Sequence, residues 1–418
     1  MKILKLLFIA LAGLTAWGLL VGYLALNGAW MTPVAASGDA AAFYEWAVGQ
    51  MESSNKGSSA LVLLQDGEVV KEHFSGPQAS VDEHTLFPMA SFSKWIAALG
   101  VMSLAADGRI DLDAPVSEYL ERWNLPASEF DNDKVTARRL LSHTAGLTDG
   151  LGFGEYGAEE VLPTIDEELR NPRASSGESV SVAVGVEPGS EFIYSGGGYL
   201  VLELLVEEVT GMNFEKYIQE TILDPLGMQR STYVGLARLE NVSPSYGIDG
   251  AIGPSFQYAS AAATGLSSTS HDLARLARAM LSPANGLPLQ RASIESMREP
   301  YGFVMGAGIW GLGTMLYAPS PNGDYVFGHD GANDPAINTA VRLNPDNSDG
   351  IIALVSGHPS LASNISSEWV LWQTGMPDLL QVERAINSGI APFLIGSLVL
   401  LLALFAWSLR WRSAGSRG

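Results

Sequence analysis

Two short stretches of this chain place a serine three residues ahead of a lysine. Side chains at i and i+3 share one face of a helix, so a serine hydroxyl and a lysine amine at that spacing can meet. Burial disfavours the ammonium and brings a lysine down from its ordinary value of about 10.4 towards neutrality. Such a lysine can take the serine proton and create a nucleophile for acyl transfer. Ser53-Ser54-Asn55-Lys56 lies in a polar stretch followed by Gly57 and reads as a solvated loop. Ser91-Phe92-Ser93-Lys94 instead runs into Trp95-Ile96-Ala97-Ala98-Leu99, the start of a helix that must be buried. The same residues would also suit a serine N-cap with a lysine reaching outward to water. The pattern alone leaves both readings open.

Other reactive signatures are missing from the sequence. There is no cysteine, which excludes a thiol nucleophile, a thiolate metal site and a disulfide scaffold. There is no G-x-S-x-G, no H-E-x-x-H and no Walker A pattern. Gly306-Ala307-Gly308-Ile309-Trp310-Gly311 matches G-x-G-x-x-G, but Leu312–Tyr317 after it reads as strand, where a dinucleotide site needs a helix. We read it as a glycine-rich strand edge.

The elements that would carry Ser91 and Lys94 fall into three blocks. Ser59–Leu64 and Glu68–Phe74 read as strands joined by a hairpin at Asp66-Gly67. The middle is mostly helical in period, with helices expected over Trp95–Ala106, Tyr199–Val209, Phe214–Leu223 and His271–Leu281. Strands then return at Gly311–Tyr317, Asp324–Phe327, Ala336–Leu343 and Gly350–Val355. Strands at both ends with helices between predict an α+β domain, one sheet built from the two terminal segments plus a helical lobe.

The ends read differently. Leu6–Leu26 and Ile390–Leu409 carry no charge, and each is long enough as a helix to cross a hydrocarbon core of about 30 Å. Lys2 and Lys5 flank the first run; Arg410, Arg412 and Arg417 flank the second. The positive-inside rule puts both termini in the cytoplasm and the domain between them on the far side. A signal peptide cleaved near Val34-Ala35-Ala36 is the alternative for the first run. The expected division is a cytoplasmic start at 1–5, a span at 6–26, a linker at 27–42, a domain at 43–375, a linker at 376–389, a span at 390–409 and a cytoplasmic tail at 410–418. All 45 acidic residues of this chain of net charge −21 lie between the two runs. So acidic a domain has no basic stripe to follow phosphates, and nucleic acid is not an expected partner.

Further blocks carry a family resemblance. His84–Lys94, with Phe87-Pro88-Met89-Ala90 before Ser91, resembles the nucleophile segment of the serine β-lactamase and penicillin-binding-protein superfamily, in its class C β-lactamase, esterase and D-Ala-D-Ala carboxypeptidase branch. Leu140-Leu141-Ser142-His143-Thr144-Ala145-Gly146-Leu147, Pro188–Ser195, Pro225-Leu226-Gly227-Met228, Ala262–Thr269 and Gly328-His329-Asp330-Gly331 are similar to other family segments, in order and at family spacing. The resemblance implies a β-lactamase/DD-peptidase-like fold and an acyl-enzyme on Ser91. Lys94 would be the general base. Tyr194 would hydrogen-bond to that pair, pass the proton to the leaving group and help activate water. The backbone N–H groups of Ser91 and Ala332 would hold the oxyanion, each donor typically worth about 3–4 kcal/mol. His329, Asp330, Gly331 and Gly196 would line the substrate cleft, and His143 would be structural. No metal or organic cofactor is implied.

Two positions depart from the family pattern. Gly196 stands where Tyr-x-Asn has its asparagine, and Asp330 stands where a Ser or Thr commonly helps hold a β-lactam carboxylate. A carboxylate there would repel such an anion. The expectation is therefore a membrane-anchored serine hydrolase in a bacterial inner membrane, its domain periplasmic. Its substrates would be small esters or D-amino-acid amides, cell-wall peptides among them, and neutral or cationic ones in preference to anionic ones. The alternatives are a slowly acylated penicillin-binding sensor or scaffold, and a true class C-like β-lactamase.

Overall fold

A computed structural model describes residues 2–77, 80–150, 154–175, 179–282, 286–334 and 336–414. The elements that position the site are, in chain order, α1 (Lys2–Leu26), α2 (Ala40–Ser54), β1 (Ser59–Gln65), β2 (Glu68–Ser75), α3 (Ser93–Ala106), α4 (Gly197–Thr210) and α5 (Ser270–Leu281). They continue with β3 (Gly302–Val304), β4 (Ala307–Trp310), β5 (Met315–Pro319), β6 (Tyr325–Asn333), β7 (Ile337–Asn344), β8 (Asp349–Ser356), α6 (Leu361–Thr374) and α7 (Val382–Ala414).

The strands form one antiparallel sheet in the order β2-β1-β8-β7-β6-β5-β4-β3. The first and last strand segments of the domain thus meet at β1 and β8, as the strand–helix–strand order of the sequence predicts. Asp66 and Gly67 turn the β1–β2 hairpin with φ of +52° and +80°, the left-handed pair that a two-residue hairpin requires.

Both faces of the sheet are covered, so β7 is buried at every position and β8 at all but its first. Val62, Phe327, Val341 and Leu354 join the core under the helical lobe, with Trp95, Leu99 and Tyr199. Leu61, Val326, Ala340 and Val355 point the other way, into a second core with Phe43, Trp369 and Val370. The period-2 alternation of a strand divides the two sets. Helices α2 and α6 supply that second layer; the sequence reading had assigned neither.

The structure moves several expected boundaries. α2 opens at Ala40, inside the segment read as a 27–42 linker, with Asp39 accepting the Ala42 N–H as its cap (2.9 Å). Ser53 and Ser54 are the exposed end of that helix, where a loop was expected. The supposed 376–389 linker holds a short turn at Leu379–Gln381 and is helical from Val382 straight into the second apolar run. The G-x-G-x-x-G stretch contains β4, so it is strand and not a dinucleotide loop. Helices α1 and α7 pack together and expose nearly all their other apolar side chains. Trp17 Nε1 donates to the Phe393 carbonyl (3.2 Å), and a Cβ at Gly396 would sit 2.2 Å from the Trp17 ring. That close approach is how small residues join helices in lipid, where apolar burial gives no net drive. Arg417, counted among the flanking cations, lies outside the described residues.

Candidate active site

Ser91 sits in a single 3-10 turn, Ala90–Phe92, that feeds directly into α3. Ala90 ahead of it has φ +48°, a left-handed conformation that costs a non-glycine residue about 1–3 kcal/mol. Lys94, one turn on, is fully buried. Its Nζ lies 3.2 Å from Ser91 Oγ and donates to the Ala263 carbonyl at 2.9 Å. The N-cap and outward-lysine alternative is thereby excluded.

The Ala263 carbonyl is itself held. It lies in a wide helical turn, Ala261–Gly265, which Glu203 on α4 ties down by accepting from Ser260 Oγ (3.0 Å) and the Ala262 N–H (2.9 Å). Burial pushes the Glu203 carboxyl well above the usual carboxylate range.

Tyr194 projects beside this pair. Its ring centre is 5.3 Å from Lys94 Nζ, and the side chain is 39% exposed, within reach of an incoming substrate. The loop that carries it is fixed from beneath. Ser195 N–H donates to His143 Nδ1 (3.1 Å), and Ser195 Oγ donates to Asp149 Oδ1 (2.5 Å). Asp149 Oδ2 accepts the Gly197 N–H (3.1 Å), which pins the start of α4 directly after Gly196. The His143 ring lies 4.4 Å from the Tyr194 ring, tilted by 35°, and Trp310 lies edge-on to His143, Tyr194 and His329. Asp149, Glu203 and Trp310 carry no motif of their own, and the sequence reading missed all three. Asp149 lies two residues beyond a quoted family block, which is the one signal that pointed to it.

The other wall is β6. Ser91, Tyr194, Trp310, Gly331 and Ala332 border one cleft of about 410 Å³. A Cβ at Gly331 would come 2.1 Å from the Met89 carbonyl, so only glycine lets the strand pass this close to the nucleophile turn. His329 is buried; its Nδ1 meets the Asp330 carbonyl at 2.6 Å, which assigns the proton to Nδ1. Asp330 borders the cleft but is not a bare charge. Arg342 grips both its oxygens, and Tyr317 Oη (3.2 Å) and Ser363 Oγ (3.0 Å) donate to it as well. The repulsion of anions expected from Asp330 is therefore largely cancelled by a guanidinium that the strand pairing places on the same face.

A family model for beta-lactamases matches residues 45–375. The chain belongs to the beta-lactamase family. Among family members, it is 30% identical over 178 residues to a penicillin-binding protein of Bacillus subtilis (strain 168), covering 41% of this chain and 37% of that protein. It is 33% identical over 162 residues to Esterase EstB of Burkholderia gladioli, covering 36% of this chain and 39% of the esterase. The chain thus spans well under half the length of either relative. Its fold matches the octameric penicillin-binding protein homologue from Pyrococcus abyssi with a TM-score of 0.65 at 24% identity, over 81% of this chain and 78% of that one. The beta-lactamase family is one of serine hydrolases.

Two family histidines are neutral by burial. Desolvation, with Lys94 nearby, holds His143 well below its ordinary value, and desolvation holds His329 down at about 3. A depressed histidine gives the fold stability that is complete above 6.5 and lost as pH falls towards the folded value. Between pH 6.5 and 4, the stability advantage of wild type over His329→Gln should shrink by about 1.4 kcal/mol per pH unit. Urea midpoints of both proteins across that range test it, and a pH-independent difference would refute it. The comparison cancels Asp378 and Glu203, whose raised values act with the opposite sign.

Proposed function

We propose that the chain is a membrane-anchored serine hydrolase whose domain works outside the cytoplasm. It would act through a Ser91 acyl-enzyme on esters or D-amino-acid amides. The observation that carries this reading is the buried Lys94 amine 3.2 Å from Ser91 Oγ, with the Ala263 carbonyl fixing its direction. Lys94 takes the hydroxyl proton as Oγ attacks the carbonyl carbon. The backbone N–H groups of Ser91 and Ala332, which border one cleft, receive the oxyanion. Tyr194, beside Lys94, returns the proton to the leaving group and then orients water against the acyl-serine. Gly331 borders the cleft, whereas Gly196 and His329, expected there, are buried behind it. The apolar side chains that α1 and α7 leave exposed, such as Phe8, Leu398 and Leu402, support the anchor. Lys2 and Lys5 on one side and Arg410 and Arg412 on the other support cytoplasmic termini.

A small fluorophosphonate should label the wild-type protein and not Ser91→Ala, and p-nitrophenyl acetate should turn over repeatedly with wild type alone. Equal labelling of the two proteins would overturn the proposal. Labelling by penicillin without turnover of any ester would favour the sensor reading, and rapid hydrolysis of a chromogenic cephalosporin the β-lactamase reading.

A further inference from the structure

A second cavity, larger than the catalytic cleft, opens beside it. It measures about 720 Å³ and its walls are almost wholly apolar. Four parts of the chain build it: the domain-side end of α1 (Val21, Ala25), the β3–β4 hairpin (Val304, Ile309), the turn before α7 (Leu379, Leu380) and the first turns of α7 (Ile386, Phe393). Two observations say what belongs there. Ile309 and Leu380 border this cavity and also the cleft that holds Ser91, so the two spaces adjoin. The cavity also lies where both apolar helices leave the span for the domain, which in the anchored reading is the outer surface of the bilayer. At about 1.5 Å per residue, the 33 residues of α7 exceed a hydrocarbon core of about 30 Å, so its first turns stand at that surface. At the hairpin tip Phe303, Val304 and Met305 are exposed, Met305 completely. Such a tip suits an interface better than water.

We propose that the cavity is an acyl-chain groove, and that the substrate is an uncharged ester drawn from the bilayer with its tail between α1, α7 and the hairpin. The proposal rests on the anchored serine-hydrolase reading and names its substrate class. An uncharged headgroup follows from the cleft: apart from Ser91 its polar borders among the described residues are Tyr194, Asn338, Ser363 and the Arg342-paired Asp330, with no lysine or arginine in that lining. Ser91 Oγ bonds to the acyl carbon, and the alcohol leaves with the serine proton. Water then cleaves the acyl-serine, releasing a fatty acid and regenerating the hydroxyl.

The test uses the full chain in phosphatidylcholine vesicles with p-nitrophenyl esters from acetate to decanoate. The expected kcat/KM rises roughly fourfold for each methylene the groove takes up. Narrowing the groove with Ile386→Trp or Leu379→Trp should cut the decanoate-to-butyrate ratio at least tenfold, although membrane partitioning of the esters is unchanged. A flat series, or the wild-type ratio in both variants, would overturn the groove. An alkyl fluorophosphonate with a diazirine at its tail tests wild type directly. After it binds Ser91, light should attach it to residues 18–26, 302–309 and 377–393, and attachment elsewhere would refute the proposal. The underlying reading fails separately: through an unlabelled Ser91 with the small fluorophosphonate, or through release of the protein by alkaline carbonate.

Discussion

Replacing Lys94 with methionine is expected to lower kcat/KM for a p-nitrophenyl ester by about 10³- to 10⁴-fold, the upper range for loss of a positioned base. Each factor of ten corresponds to about 1.4 kcal/mol of transition-state stabilisation. Methionine fits the fully buried channel that the lysine stem occupies. The variant also strips the Ala263 carbonyl of its lysine donor, which costs roughly 1–3 kcal/mol of stability. Stability and activity therefore have to be read separately. Lys94→Arg separates a base from a mere positive charge: a guanidinium keeps the cation and the hydrogen bond but does not give up its proton. Both variants should lose activity together, with Ser91 still present and its labelling slowed in proportion. Arginine retaining a tenth or more of wild-type turnover would rule out the base role for Lys94.

How far the sequence reaches is visible around this one lysine. Its approach to Ser91 is local, an i,i+3 relation at a helix start, and a one-dimensional pattern carries such relations. The β1–β2 turn and the inward–outward alternation of β6 are local in the same way. The positive φ of Ala90 is not, because no residue type announces it. Nor is the Ala263 carbonyl, which arrives from 169 positions away and is fixed by Glu203 on another helix. Trp310 joins the site through a strand that the motif count treated only as glycine-rich. The segment 382–389 looked like a linker because Glu383, Arg384, Asn387 and Ser388 break the apolar run. No glycine or proline stops a helix before Gly389, however, and propagation from the neighbouring turns is easier than ending it. Charge counting failed at Asp330 for a related reason. The count sees an acid in a cleft motif, but not that β6 pairs Gly328 with Arg342 and Asp330 with Ala340. That register makes Asp330 and Arg342 diagonal neighbours on one face.

The same pairing makes Arg342 the position where substitution should cost the most stability. Its side chain is 1% exposed, stacks 3.4 Å over the Tyr317 ring and lies between Asp330 and a fully buried Asp378. Arg342→Met leaves two carboxylates without their cation, and breaking a buried pair from one side costs about 3–5 kcal/mol. The melting temperature at pH 8 should drop by on the order of 10 °C. Its pH dependence is signed. Burial already pushes Asp378 up to about 6 even with Arg342 beside it. A carboxyl raised in the fold favours folding below its unfolded value, and that contribution is lost as pH rises through the folded value. Without the guanidinium Asp378 rises further, so at pH 5 it can stay protonated and the penalty should be smaller than at pH 8. Adding Asp330→Asn and Asp378→Asn should recover much of the loss at pH 8, because neutral amides need no cation. Activity should fall with Arg342→Met as well, since Asp330 lies two residues from Ala332 and its anchoring holds that end of β6 against the nucleophile turn. An Arg342→Met protein as stable as wild type at pH 8 would mean that the carboxylates find other donors, and that the arginine does not fix the strand.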